Sequence, residues 1–240
     1  MKPLLIIKAG EKLPTLAGYP GDFEDWMGED PDADADRSLV VDVRQGALLP
    51  SPGSIAGAIV TGSNTMVTDG LDWARSTARW LREASDTGLP ILGVCFGHQL
   101  LAQVLGGKVG NNPNGVEVGT VRARLTPDAS RDTILADMPS EASVNASHRQ
   151  AVLELPPGAI RLAATDKDAN HAFRVGDSVW GVQFHPEFDR EIVNAYVAHY
   201  ANDLATQLEN TTEIARYSQD TPCAKSILQH FHAFCRTDTN

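Results

Sequence analysis

Cysteine is scarce in this sequence. Three stand in 240 residues, Cys95, Cys223 and Cys235, with neither the even count of a disulfide framework nor a paired CxxC metal motif. A reducing compartment, the cytoplasm, is the expectation. Basic residues are also short: 20 Lys and Arg face 31 Asp and Glu, a formal net charge of −11. That argues against nucleic acid as a general partner, because phosphate binding needs clustered cations. No apolar run approaches the roughly 18 residues of a membrane helix, so no membrane partner is expected. The start, "MKPLLIIKAG", lacks the long apolar core and cleavage site of a signal peptide and reads as a first strand. Also missing are a GxxxxGK[ST] phosphate loop, internal repeats and low-complexity linkers.

What is present is an ordinary globular balance, 42% hydrophobic and 21% charged. Short apolar runs at 4–9, 38–43, 55–61 and 90–95 read as buried strands. Between the last two, residues 71–88 carry Trp73, Thr77, Trp80, Leu81 and Ala84 at helical spacing, and Gly88 and Pro90 stop them. A second helix is predicted over 98–105, closed by Gly106 and Gly107. Strands alternating with helices imply a mostly parallel sheet. The middle of the chain alternates instead, broken by Asn-Pro, Pro-Pro-Gly and Gly-Asp turns, and reads as antiparallel hairpins added to that sheet. Residues 189–208 are predicted helical, as are 222–235 with Ile227, Leu228, Phe231, Phe234 and Cys235 on one face. The acidic stretch 29–36, "EDPDADAD", reads as a solvated loop whose spacing matches no metal-binding loop. The expected architecture is α/β: one three-layer domain over 1–203, with a central mostly parallel sheet, helices on both faces and a small antiparallel extension. Residues 204–240 form a helical extension, packed outside or against a partner, in which Cys223 and Cys235 are structural.

The chemistry concentrates in "PILGVCFGHQLLAQVLGG", residues 90–107. A buried strand drives into Cys95, glycines stand at 93 and 97, and a helix follows. In α/β sheets, ligands collect beyond the carboxyl ends of the strands. A sharp strand-to-helix turn exposes the sulfur there, in the manner of a nucleophile elbow. The helix N-terminus favours a thiolate, and the Phe96 amide can stabilise an oxyanion on a carbonyl attacked by Cys95. A thiol acylated by substrate needs a proton carrier, and seven histidines compete. His185 stands out in "WGVQFHPEF", where Val182 and Phe184 alternate with Gln183 in a strand that ends at Pro186. Glu187, two positions on, suits the acid of a triad that holds the imidazole tautomer.

The elbow, followed ninety residues later by "GVQFHPEF", resembles the class I glutamine amidotransferases, which release ammonia from the side-chain amide of glutamine with a Cys-His-Glu triad. The resemblance runs from about 38 to about 202. It implies Cys95, His185 and Glu187 as catalytic residues and a cysteinyl γ-glutamyl thioester as intermediate. "IVTGSNTMVTD", residues 59–69, is similar to the family's Gly-Gly-Pro loop. Here it reads Gly62-Ser63-Asn64, which implies Ser63 as the second backbone oxyanion donor beside Phe96 and Gly62 in the substrate pocket. "NGVEVG", residues 114–119, resembles a pocket-lining segment, and Gln99 a position near the bound amide. "SHRQAVLELPPGAIRLAATD", residues 147–166, is most similar to the stand-alone branch related to the amidotransferase half of GMP synthase. Gln150 replaces an Asp common there, so a charge is expected to be missing near His148, which either shapes a substrate-facing or partner-facing surface or has no role. Gln183 is assigned to strand packing. The resemblance implies no cofactor and no metal.

Three functions follow. The first is a glutamine amidotransferase or glutaminase, with a small-molecule substrate and an ammonia-accepting synthase subunit as a candidate partner; no synthase signature follows residue 202. The second is a γ-glutamyl peptide or γ-glutamyl amine hydrolase with the same triad. The third is a non-catalytic binding module, against which the intact Cys95, His185 and Glu187 argue. A related cysteine-elbow family lacks the His-Pro-Glu ending.

Overall fold

The computed structural model describes residues 2–28 and 38–237; the acidic stretch 29–36 lies outside them. The chain runs β1 (Leu4–Lys8), α1 (Phe23–Gly28), β2 (Ser38–Asp42), β3 (Gly57–Val60), α2 (Asp72–Asp86), β4 (Ile91–Val94) and α3 (Phe96–Val104). It continues through β5 (Lys108–Asn111), β6 (Glu117–Leu125), β7 (Glu141–His148), β8 (Gln150–Glu154), β9 (Ile160–Ala164), β10 (Ala172–Val175) and β11 (Val179–Val182). Four helices close it: α4 (Arg190–His199), α5 (Ala201–Thr206), α6 (Thr211–Tyr217) and α7 (Pro222–Thr237).

One nine-stranded sheet has the order β2-β1-β3-β4-β11-β10-β9-β6-β7, and β5 pairs with β8 in a separate ribbon. The strands from β2 to β11 in that order are parallel, and those from β11 to β7 antiparallel. Of the antiparallel strands read from the sequence, β6, β7, β9 and β10 therefore extend the same sheet, while β5 and β8 form the separate ribbon. Side chains of β1 alternate across it: Leu4 and Ile6 join Phe23, Ile192 and Phe231 on one face, while Leu5 and Ile7 join Leu81 and Leu101 on the other. Helices thus cover both faces of a mostly parallel centre, the three-layer solution for strands that are apolar on both sides.

Two local expectations need correction. Within the run 38–43 only Val43 is buried: β2 has one neighbour, and Leu39 and Val40 are 40% and 45% exposed. Its apolar sequence gives no sign of being an edge. The last strand of the parallel set stops at Val182 rather than at His185, and Val182, Gln183 and Phe184 are all fully buried.

Helix α7 packs onto the sheet. Phe231 and Phe234 meet the Trp180 ring edge-on at 6.1 and 5.3 Å. Trp180 Nε1 donates to the buried Asp132 carboxylate at 3.1 Å, and Arg174 Nε pairs with the same group at 3.0 Å. Cys235 is buried on this face, whereas Cys223, in the first turn of α7, is exposed.

Candidate active site

Strands β3, β4 and β11 are neighbours and parallel, so the loops beyond their carboxyl ends meet. Val94 pairs with Val182 in register. Cys95 follows the first and His185 stands three positions beyond the second, which brings them together from distant parts of the sequence. Cys95 has φ 51° and ψ −98°. A non-glycine residue there carries strain of about 1–3 kcal/mol, kept only where the surroundings enforce it. They do: a Cβ on Gly93 would lie 2.5 Å from the Gly97 carbonyl oxygen, and a Cβ on Gly97 would lie 2.5 Å from that of Val60. The two glycines let α3 start against β3 and β4 without a gap, and the helix begins at Phe96, directly after the sulfur-bearing residue.

His185 is held from several sides. Its amide donates to the Asn145 carbonyl at 2.8 Å. Its Nδ1 lies 2.6 Å from Glu187 Oε1, both groups buried. Phe188 stacks on the imidazole at 3.9 Å, and Phe23 of α1 lies 6.1 Å away with its plane at 23°. The ring lies close enough to the Cys95 side chain to feel its charge, and Cys95 Sγ lies 3.6 Å from the Ser147 carbonyl. Burial disfavours the imidazolium, but the charges of Glu187 and Cys95 outweigh it and raise the His185 pKa to about 10. A protonated His185 beside the sulfur is the acid that a departing amine requires.

The remaining expected residues fall around this centre. Gly62 is pressed against His185, where an added Cβ would stand 2.9 Å from ring Cε1. Ser63 continues that loop with its hydroxyl 2.8 Å from Thr65 Oγ1. Among the described residues, neither the Ser63 nor the Phe96 amide has a protein acceptor, as an oxyanion site requires. Gln99, expected near the bound amide, has protein partners of its own. It is buried in α3, and its amide nitrogen donates to the Gln150 carbonyl at 2.8 Å and to Gln183 Oε1 at 2.9 Å. Its side chain therefore ties the turn between β7 and β8 to the elbow helix, and Gln183 takes part in that tie as well as in packing.

His148 is buried, not on a surface. Its Nε2 lies 2.9 Å from Glu117 Oε2 and its Nδ1 2.9 Å from the Gln150 carbonyl. The charge expected to be missing at Gln150 is supplied through space. Burial opposes the His148 imidazolium, but the Glu117 carboxylate, with Asp168 further off, raises its pKa. Beyond His148 lie His171 and Asp168, which sequence reasoning did not single out. It also missed Phe23 and the tyrosines beside α4. Burial, then the Cys95 charge, raises the phenol pKa of Tyr196 and takes that of Tyr200 to about 12. No motif marks these residues; they are brought in by pairing of strands and helices.

The arrangement is a thiol nucleophile, an imidazole and an orienting carboxylate with unused amides nearby, the composition of a covalent acyl-transfer site. Residues 51–203 match the family described as Glutamine amidotransferase class-I, and the chain belongs to that family. Among curated proteins, Gamma-glutamyl peptidase 5 of Arabidopsis thaliana is 29% identical over 167 residues, 66% of each chain. A glutamine-hydrolysing GMP synthase of Streptococcus mutans is 36% identical over 50% of this chain and 23% of its own length. The chain thus spans just under two thirds of that peptidase and under a quarter of that synthase. Among solved structures, a glutamine amidotransferase of Methylobacillus flagellatus superposes with a TM-score of 0.74 at 25% identity, over 99% of this chain and 95% of that one. A glutamine amidotransferase of Thermotoga maritima gives 0.75 at 18% identity, over 98% and 99%, a likeness of fold.

Proposed function

We propose that this chain hydrolyses the γ-amide of glutamine through a thioester on Cys95. The observation that carries the reading is the 2.6 Å contact of His185 Nδ1 with Glu187 Oε1, on an imidazole beside an elbow cysteine held at positive φ. The Cys95 thiolate attacks the γ-carbonyl carbon, and the oxyanion is received by the Ser63 and Phe96 amides. His185 gives its proton to the nitrogen, the C–N bond breaks and ammonia leaves. His185 then takes a proton from water, the hydroxide attacks the thioester, the C–S bond breaks, and glutamate departs with the thiolate restored. Gly62 keeps the loop close to His185, and Gln99 fixes the turn that faces Cys95. The compartment proposed is the cytoplasm, and residues 204–240 are taken as an extension of the single domain.

A second reading has specific support. The γ-glutamyl peptidases align over a larger share of their own length than the GMP synthase does, which favours a γ-glutamyl peptide or amine as substrate. Only the leaving group differs. A synthase subunit that takes up ammonia is the partner under the first reading alone. The deciding experiment is a panel of glutamine, γ-glutamyl dipeptides, γ-glutamyl amines and asparagine, with glutamate or aspartate release measured on the purified chain. Turnover of glutamine supports the first reading, and turnover of the peptides alone supports the second. Asparagine is one methylene shorter, so its amide stops short of Cys95, and misplacement by about 1 Å costs roughly 100-fold. Equal rates on asparagine and glutamine overturn the γ-glutamyl assignment.

A further inference from the structure

A buried cluster of ionisable side chains outside the Cys95–His185–Glu187 group is built on a cross-strand pair. Glu117, first in β6, faces His148, last in β7. Their side chains meet at 2.9 Å, and His171 Nδ1 stands 3.6 Å from the same Glu117 Oε2. One donor atom from each of the three residues lies within 4.8 Å of the other two, and all three residues are buried. A fourth group joins them: Asp168 Oδ2 is 3.4 Å from His171 Nδ1.

Two features distinguish this cluster from a hydrogen-bonded core network. Among the described residues, Asp168 Oδ2 and both His171 ring nitrogens make no hydrogen bond of good geometry, Oδ2 and Nδ1 facing each other at 3.4 Å, although His171 is fully buried and Asp168 only 2% exposed. Buried polar atoms left unpaired cost roughly 1–3 kcal/mol each, so protons alone leave the cluster poorly satisfied. A cation held by Glu117, His148 and His171 takes one His171 nitrogen and places the Asp168 carboxylate beside the bound ring. The second feature is His148 itself, whose remaining ring nitrogen faces the Gln150 carbonyl. That is the outer contact that orients a metal-bound imidazole.

The distances suit the same occupant. Donors that share one zinc ion with bonds of about 2.0–2.2 Å stand about 3.3 Å apart; Glu117 Oε2 lies 2.9 Å from His148 Nε2 and 3.6 Å from His171 Nδ1, and Asp168 Oδ2 approaches the group only through His171, at 3.4 Å. Two carboxylates balance one dication with both imidazoles neutral. An open cavity of about 160 Å³, walled by Thr165, Asp166 and Lys167 among others, reaches Glu117 and supplies an entry path.

We infer that Glu117, His148 and His171, with the Asp168 carboxylate against His171, form a site for a divalent transition-metal ion of the zinc class. Nitrogen and carboxylate donors without thiolate suit zinc, cobalt or nickel better than calcium or magnesium. The ion joins β6, β7 and the segment ahead of β10. Through His148 it also braces the end of β7 that carries Ser147, whose carbonyl lies 3.6 Å from Cys95 Sγ. The site stands apart from the hydrolytic reading above, because ion binding is measured on an inactive chain.

The test uses the full chain as Cys95→Ser, so that the active-site thiolate cannot ligate. After EDTA treatment and dialysis, Zn²⁺ and Co²⁺ uptake is measured by elemental analysis and by visible absorption. The expected result is about one ion per chain, cobalt bands without thiolate charge transfer, and a rise in Tm with Zn²⁺. His171→Gln is expected to weaken binding at least 100-fold and to remove the Tm rise. Asp168→Asn, which keeps the shape, serves if His171→Gln does not fold, and is expected to weaken binding at least 10-fold. Failure of the EDTA-treated chain to take up a stoichiometric ion overturns the proposal. So does uptake that both variants leave unchanged, or uptake by the wild type that disappears in Cys95→Ser.

Discussion

His185 Nδ1 lies 2.6 Å from Glu187 Oε1, while the same ring reaches the Cys95 sulfur from the adjacent parallel strand. The two contacts give the three residues unequal weight. Cys95→Ala is expected to abolish turnover and His185→Ala to cost at least the roughly 10²–10⁴-fold of general acid–base help. Glu187→Gln keeps the proton carrier and loses its orienting charge, so its loss is smaller. Steady-state rates on one γ-glutamyl substrate, with circular dichroism to verify folding, give the order. A glutamine-analogue chloroketone is expected to label Cys95 alone; labelling at the exposed Cys223 instead is the contrary result.

The raised pKa of His185 makes a pH statement. In the unfolded chain a histidine titrates near 6.5, and here it is held to about 10 against the opposing effect of burial. A group raised on folding contributes stability in full below its unfolded value and loses it as pH rises through the folded value. The Tm advantage of wild type over His185→Gln is therefore expected to be greatest below about pH 6.5 and to shrink steadily toward pH 10. An advantage that grows over this window contradicts the ion-pair account.

Much of the site was legible because its determinants are local. Gly93, Cys95 and Gly97 act within one strand-turn-helix, and Glu187 lies two positions from the histidine it orients. The edge position of β2 was not legible, since Leu39 and Val40 are as apolar as the residues of a central strand. Nor was the Glu117–His148 pair, which exists only because β6 and β7 align in register. Gln150 looked like a lost charge because a linear reading sees one strand, whereas the charge arrives from its neighbours. Cys223 and Cys235 share a helix, yet only the second is buried, because Cys223 lies off the face that Ala224, Ile227, Leu228, Phe231 and Cys235 turn to the core.

Two glycines separate folding from chemistry. Gly97→Ala forces a Cβ to 2.5 Å from the Val60 carbonyl oxygen. The obstacle is backbone that cannot swing away, and overpacking of this kind costs about 1–3 kcal/mol or more, so Tm is expected to fall along with activity. Gly62→Ala meets ring Cε1 of His185 at 2.9 Å and Phe23 at 3.5 Å. Here a side chain gives way, and a catalytic ring moved by about 1 Å loses roughly 100-fold in rate. Activity lost with Tm nearly unchanged is expected for Gly62→Ala; equal thermal losses in the two variants contradict the distinction.

Phe231 tests whether the terminal helix is part of the fold or an appendage. Its ring is fully buried and meets Trp180 edge-on at 6.1 Å. Trp180 sits on β11, the strand that delivers His185. Truncating a buried phenylalanine costs about 3–5 kcal/mol, a large share of the 5–15 kcal/mol typical of a domain. Phe231→Ala is accordingly expected to lower the urea midpoint of the whole chain in one cooperative transition, with lost γ-glutamyl turnover following the same curve. Exposed Tyr217, on α6, is the control: Tyr217→Ala is expected to leave the midpoint within about 0.5 kcal/mol of wild type. If Phe231→Ala instead releases α7 in a separate early transition while the hydrolytic activity persists, the helix is an appendage and the β11 loop holds His185 without it.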